Sequence, residues 1–101
     1  MLLRELAHAR TGDKGDVSNI AVIAYRAEDY DRLQRGLTED RVRERLCLDP
    51  DQPIRRHELP GLKALNFVIE GALAGGVTRS ASLDAHGKCL GAWLLGVELE
   101  D

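Results

Sequence analysis

Apolar positions recur along the chain in different rhythms, and each rhythm predicts an element. Leu2 and Leu6 would share one face of an extended segment and Leu3 and Ala7 the other, so residues 2–9 read as a strand partly covered on both sides. A charged bend, Arg10 to Asp16, follows and runs into "IAVIAY", residues 20–25. Six consecutive apolar residues there predict a strand buried on both faces, hence central in its sheet. Tyr30, Leu33 and Leu37 stand at i, i+3 and i+7, which predicts a short amphipathic helix that Gly36 can close in a left-handed conformation. Thr38 can cap a second helix, 39–47, with Val42 and Leu46 inward. Pro50 and Pro53 make 49–53 a loop, and residues 54–59 alternate weakly, as an edge or short strand does.

Residues 61–76 predict the clearest helix. Leu62, Leu65, Ile69 and Leu73 line one side, Ala64, Phe67, Val68 and Ala72 widen the stripe, and Gly75 and Gly76 end it. Lys63, Asn66 and Glu70 then form a narrow outward ridge. Residues 78–84 and 88–99 read as strands around "AHGK", a hairpin signal with Gly87 free to take positive φ. The order strand, strand, helix pair, strand, helix, strand, strand predicts a two-layer α/β sandwich of the α+β class. Its single mixed sheet would carry the helices on one face, with right-handed crossovers.

Composition narrows the function. A length of 101 residues bounds the chain to one domain, 1–101. A net charge of −3 argues against nonspecific binding of nucleic acid or an anionic membrane, both of which need a basic face. One Trp, two Tyr and one Phe are too few for a base-stacking platform. No run approaches the ~20 apolar residues of a membrane span, and the N-terminal stretch lacks the apolar core of a signal peptide. Cys47 and Cys89 stand far apart without a CxxC partner, so neither a disulfide framework nor a zinc site is expected. Both read as reduced thiols of a cytoplasmic protein, and no metal or cofactor is expected.

Candidate chemistry gathers at the bend. Its glycine spacing matches neither a P-loop nor a dinucleotide fingerprint, and its acids do not follow the EF-hand order. Two readings stay open. Gly12 and Gly15 could let consecutive backbone N–H groups converge on an anion, with Arg10 and Lys14 supplying charge. Asp13 and Asp16 would then have to point elsewhere, holding Lys14 or a hard cation. Alternatively the segment is a plain turn, its two aspartates bonding their own backbone. His8, beside the bend, has the chemistry of an acid or base near neutral pH, although a structural histidine satisfies the same position. His57 and Glu58 would point to opposite faces of a strand, His86 falls in a turn, and Ser80 and Ser82 lack a nucleophile elbow. The arginines at 32, 35, 41, 43 and 45 interleave with acids, as on a solvated helix face.

Three stretches taken together, "ARTGDKGDVSNIAVIA", "HELPGLKALNFVIEGALAGGVTRS" and "LDAHGKCLG", are similar in order and spacing to one known domain. It is the small ferredoxin-like domain at the C-terminus of acyclic terpene utilisation (AtuA) proteins, which also occurs as free-standing chains. The resemblance runs from residue 8 to about 91. It implies a ferredoxin-like fold and a link to bacterial catabolism of acyclic isoprenoids through CoA thioesters. The family's Arg-[Ser/Thr]-Gly-Asp-Lys-Gly segment falls on Arg10, Thr11, Gly12, Asp13, Lys14 and Gly15, and Asn19 and Asn66 fall on further motif positions. With Asp16, these are the expected ligand-binding residues.

Full AtuA proteins pair this domain with a larger α/β domain that is not in this chain. The expectation is therefore an accessory or binding subunit, not catalytic on its own, that meets a separate large AtuA-like subunit or a phosphate-bearing acyl-CoA. Two alternatives stand beside it. One is a small acyl-CoA hydratase or isomerase using Asp13, Asp16 or His8 as general base. The other is a homo-oligomerising domain, a dimer paired through an edge strand such as 54–59 or 2–9.

Overall fold

A computed structural model describes residues 1–14, 17–71, 91 and 93–99, with 13 and 14 described as backbone only. The chain opens with a short helix, α1 (Leu3–Leu6), followed by the hairpin strands β1 (Ala7–Lys14) and β2 (Val17–Ala24). A 3-10 turn (Ala27–Asp29) leads into α2 (Tyr30–Gly36) and α3 (Glu39–Arg45). A second hairpin follows, β3 (Ile54–Leu59) and β4 (Ala64–Glu70), joined by a 3-10 turn at Pro60–Leu62. The strands form one sheet in the order β1-β2-β4-β3, and each neighbouring pair is antiparallel. The sheet is thus antiparallel among the described strands, where a mixed one was expected. β2 and β3 do run in the same direction, linked through α2 and α3, but β4 returns between them. That is the split β-α-β arrangement of α+β ferredoxin-like folds.

One face of the sheet is packed. Ser18, Ile20, Val22 and Ala24 of β2 and Leu65, Phe67 and Ile69 of β4 are buried against Leu33 and Leu37 near α2, Val42 and Leu46 near α3, and Leu3 and Leu6 of α1. The apolar run 20–25 is therefore not covered on both sides: Ala21 and Ile23 are half-buried and Tyr25 is exposed. Thr38 caps α3 as expected, its Oγ1 accepting from the Arg41 N–H at 3.2 Å. Val42 and Leu46 are fully buried.

Four local expectations are corrected. Residues 64–70 of the expected helix 61–76 form strand β4, pairing with β2 and β3, and so the Lys63–Asn66–Glu70 helical ridge does not exist. Residues 2–9 do not form one strand, because Leu3 and Leu6 sit at helical spacing and both turn into the core. Gly36 does not close α2 in a left-handed conformation; among the described residues Gly71 is the glycine with positive φ, 68°. The described part of the expected strand 88–99 begins with a helical turn, Leu95 N–H donating to the Gly91 carbonyl at 3.1 Å, and then bridges Leu2 through Glu98. Residues 72–90, with the expected hairpin, lie outside the described residues, as do Ser80, Ser82, His86 and Cys89.

The arginines of α3 are not a solvated face either. Arg41 and Arg45, one turn apart, share a side of the helix and Arg43 lies on another, and each guanidinium finds a backbone carbonyl. Arg41 donates to Glu98 at 2.8 Å, Arg43 to Asp49 at 2.8 Å and Gln52 at 2.7 Å, and Arg45 to Trp93 at 2.9 Å. Arg45 also lies 4.7 Å from the Trp93 ring centroid, while the indole N–H donates back to the Arg45 carbonyl at 3.1 Å. Gln52, inside the 49–53 loop, donates to the carbonyls of Glu70 and Gly71 at 3.1 and 2.9 Å, tying the loop to the end of β4.

Candidate functional site

Register brings separate parts of the sequence onto the face of the sheet opposite the helices. Directly paired residues of antiparallel strands project to the same side. Arg10, Ala21, Asn66 and His57 form one row across all four strands. Gly12, Asn19, Val68 and Arg55 form the next row, and His8, Ile23, Ala64 and Leu59 the row on the other side. The burial alternation of β2 shows that this is its outward side, with Val17 and Asn19 exposed.

Asn19 and Asn66 meet at the centre, where Asn19 Nδ2 donates to Asn66 Oδ1 over a long 3.4 Å. Gly12 makes that placement feasible: a Cβ at position 12 would lie 2.7 Å from Asn19 Oδ1. Ala21, between Arg10 and Asn66 in the register, is small, and Gly12 beside it has no side chain. Arg10 is exposed and makes no ion pair among the described residues. Arg55 lies 3.7 Å from Glu70 on the same face. Toward the other end the face turns apolar. His8 stacks on Tyr25 at 5.5 Å between centroids, and Tyr25 and Leu62 are 60% and 69% exposed.

The expected site residues therefore separate. Arg10, Gly12, Asn19 and Asn66 come together, with His8 one row away. Thr11 points to the opposite side, where its Oγ1 accepts from the Gly91 N–H at 2.9 Å. A Cβ on Gly91 would lie 2.8 Å from that oxygen, so this pair fixes how the C-terminal turn docks on β1. The backbones of Asp13 and Lys14 pair with Ser18 and Val17, whereas their side chains, and Gly15 and Asp16 entirely, lie outside the described residues.

A nest of converging amides is not what residues 10–14 build. They are extended in β1, where successive N–H groups point to alternate sides and cannot meet at one point. Gly12 serves side-chain clearance instead. Sequence reading missed His57 and Ala21 as members of the Arg10–Asn66 row. The alternation of 54–59 already places Arg55 and His57 on one face, but only the register shows which strand they meet.

Gly12→Ala separates clearance from folding. The atom in the way is the end of a flexible side chain, so Asn19 swings aside and stability stays within about 1 kcal/mol. The Asn19–Asn66 contact is lost, which a shift of both side-chain amide resonances in a 15N spectrum detects.

Among the described residues no helix is long and apolar enough to cross a membrane, and no group of three or more His, Cys, Asp or Glu side chains could hold a metal ion. A family model described as the AtuA ferredoxin-like domain matches residues 1–100. No curated protein and no solved structure matches the chain significantly.

Proposed function

We propose, from the premise that this chain belongs to the AtuA ferredoxin-like domain family, that it is a cytoplasmic accessory binding module in acyl-CoA-linked catabolism of isoprenoids or related compounds. Its outward sheet face receives an anionic group presented by a large AtuA-type subunit. The observation that carries this reading is the Asn19–Asn66 pair beside Arg10. Asparagine is disfavoured in strands, yet two of them face each other on the inner strands β2 and β4, outside the core. Folding gains little from them, and local propensity opposes them. A conflict of this kind between local preference and position supports a functional role.

The chemistry suits recognition better than catalysis. Arg10 offers a planar fork of donors that matches a carboxylate or phosphate, and the two amides add donors and acceptors beside it. The carboxylate described on this face, Glu70, is already near Arg55 and so is a poor general base. Arg10, without an ion pair among the described residues, fits the phosphate of an acyl-CoA as well as a carboxylate, so the test has two arms.

Isothermal titration against a large AtuA-type chain is expected to show binding that Asn19→Ala, Asn66→Ala and Arg10→Gln each weaken about tenfold or more, equivalent to about 1.4 kcal/mol. In the second arm, CoA at 100 times its dissociation constant should add about 2.7 kcal/mol of stability. If neither probe binds, or if the three variants bind like the parent, the proposal fails.

A further inference from the structure

We infer that Glu39 guards the β3 edge of the described sheet against strand addition by a second copy of the chain. Among the described strands the order β1-β2-β4-β3 leaves β3 at an edge, and an edge strand offers every second N–H and C=O to any extended partner. Arg56 belongs to that outward set, because its N–H donates to Glu39 Oε2 at 2.8 Å and not to β4. By alternation Ile54 and Glu58 share its direction, so the guarded amide is the middle one of three.

The guard is held in place from two sides. Glu39 is the first residue of α3, fixed by the Thr38 cap. The Arg56 side chain reaches the other way, its guanidinium donating to the carbonyls of Gln34 at 2.8 Å and Leu37 at 2.9 Å, and so pins the joint between α2 and α3 beside the strand. Gln34 in turn donates to Glu58 Oε1 at 3.0 Å. The carboxylate is thus delivered to the edge by the helices themselves.

A second copy is the occupant this geometry excludes. In an antiparallel pair of β3 strands about a two-fold axis at Arg56, the central bonds would join each Arg56 N–H to the Arg56 carbonyl of the other copy. That N–H is the one Glu39 takes.

The test uses Glu39→Ala, Glu39→Gln and, as a control for charge at the start of α3, Asp40→Ala. Hydrogen exchange of the Arg56 amide by NMR should quicken at least tenfold in Glu39→Ala in dilute solution. It should stay near the parent in Glu39→Gln, which keeps an acceptor oxygen, and in Asp40→Ala. Sedimentation equilibrium should then show a concentration-dependent doubling of mass in Glu39→Ala beyond the parent's own state. Either of two results overturns the inference: an Arg56 amide as protected in Glu39→Ala as in the parent, or a freely exchanging Arg56 amide in a variant that associates no more than the parent.

Discussion

Phe67→Ala is expected to lower the unfolding free energy by about 3–5 kcal/mol, the range for truncating a fully buried aromatic. Phe67 is 0% exposed at the middle of β4, paired with Ile20 on one side and Arg56 on the other. Its ring lies where the packed face meets the α2–α3 layer, and that layer is held mainly by two seven-residue helices. A domain of this size has about 5–15 kcal/mol of stability in total, so the variant should populate unfolded chain at moderate temperature. Urea unfolding followed by circular dichroism gives the measurement: a lower midpoint with an unchanged slope. Val68→Ala, at the half-buried outward neighbour, should cost clearly less. A helix through 61–76 would instead place both residues on its apolar side, with similar costs.

Arg56→Met is expected to cost about 2–3 kcal/mol, because methionine keeps an apolar stem but removes the donors. The Arg56 side chain is only 18% exposed, and its guanidinium satisfies the Gln34 and Leu37 carbonyls at and just beyond the C-terminal end of α2. Carbonyls there have no partner within the helix, and a cation beside them also meets the favourable end of its dipole. Lysine at this position offers a single ammonium instead of a fork and should recover only part of the loss. Urea midpoints for the three chains decide the matter, and partner binding through the outward face should be unaffected at saturating fold.

The elements that could be read from sequence are those with one dominant periodicity. Thr38, Val42 and Leu46 define α3 through a cap and a helical stripe, and the prolines at 50 and 53 bound the loop before β3. The failure at 61–76 has a physical cause. Leu65, Phe67 and Ile69 satisfy a period of two as well as their part in a helical stripe, and a short apolar run does not distinguish the two. Two signals favoured a strand: the β-branched pair Val68–Ile69 beside Phe67, and Gly71, whose positive φ ends the element five residues before the expected glycine stop. The same error hid the site. With Asn66 on a helix it had no reason to meet Asn19, whereas the β2–β4 register sets them within hydrogen-bonding reach. Arg10 and Gly12 were legible as members of a distinctive segment. Their roles were not, because an extended β1 turns Gly12 from a flexible joint into a clearance for Asn19. Thr11 shows the limit of motif reading most plainly, since a residue within the matched segment faces the opposite layer and docks the C-terminal turn.

The central claim is that the outward face around Arg10, Asn19 and Asn66 is where this module meets its partner. A 15N-labelled sample titrated with a large AtuA-type chain tests it most directly. The side-chain amide signals of Asn19 and Asn66 and the backbone signals of Arg10 and Ala21 should shift together, while those of α2 and α3 stay in place. Saturable binding that moves the helix signals and leaves both asparagine amides unshifted would contradict it.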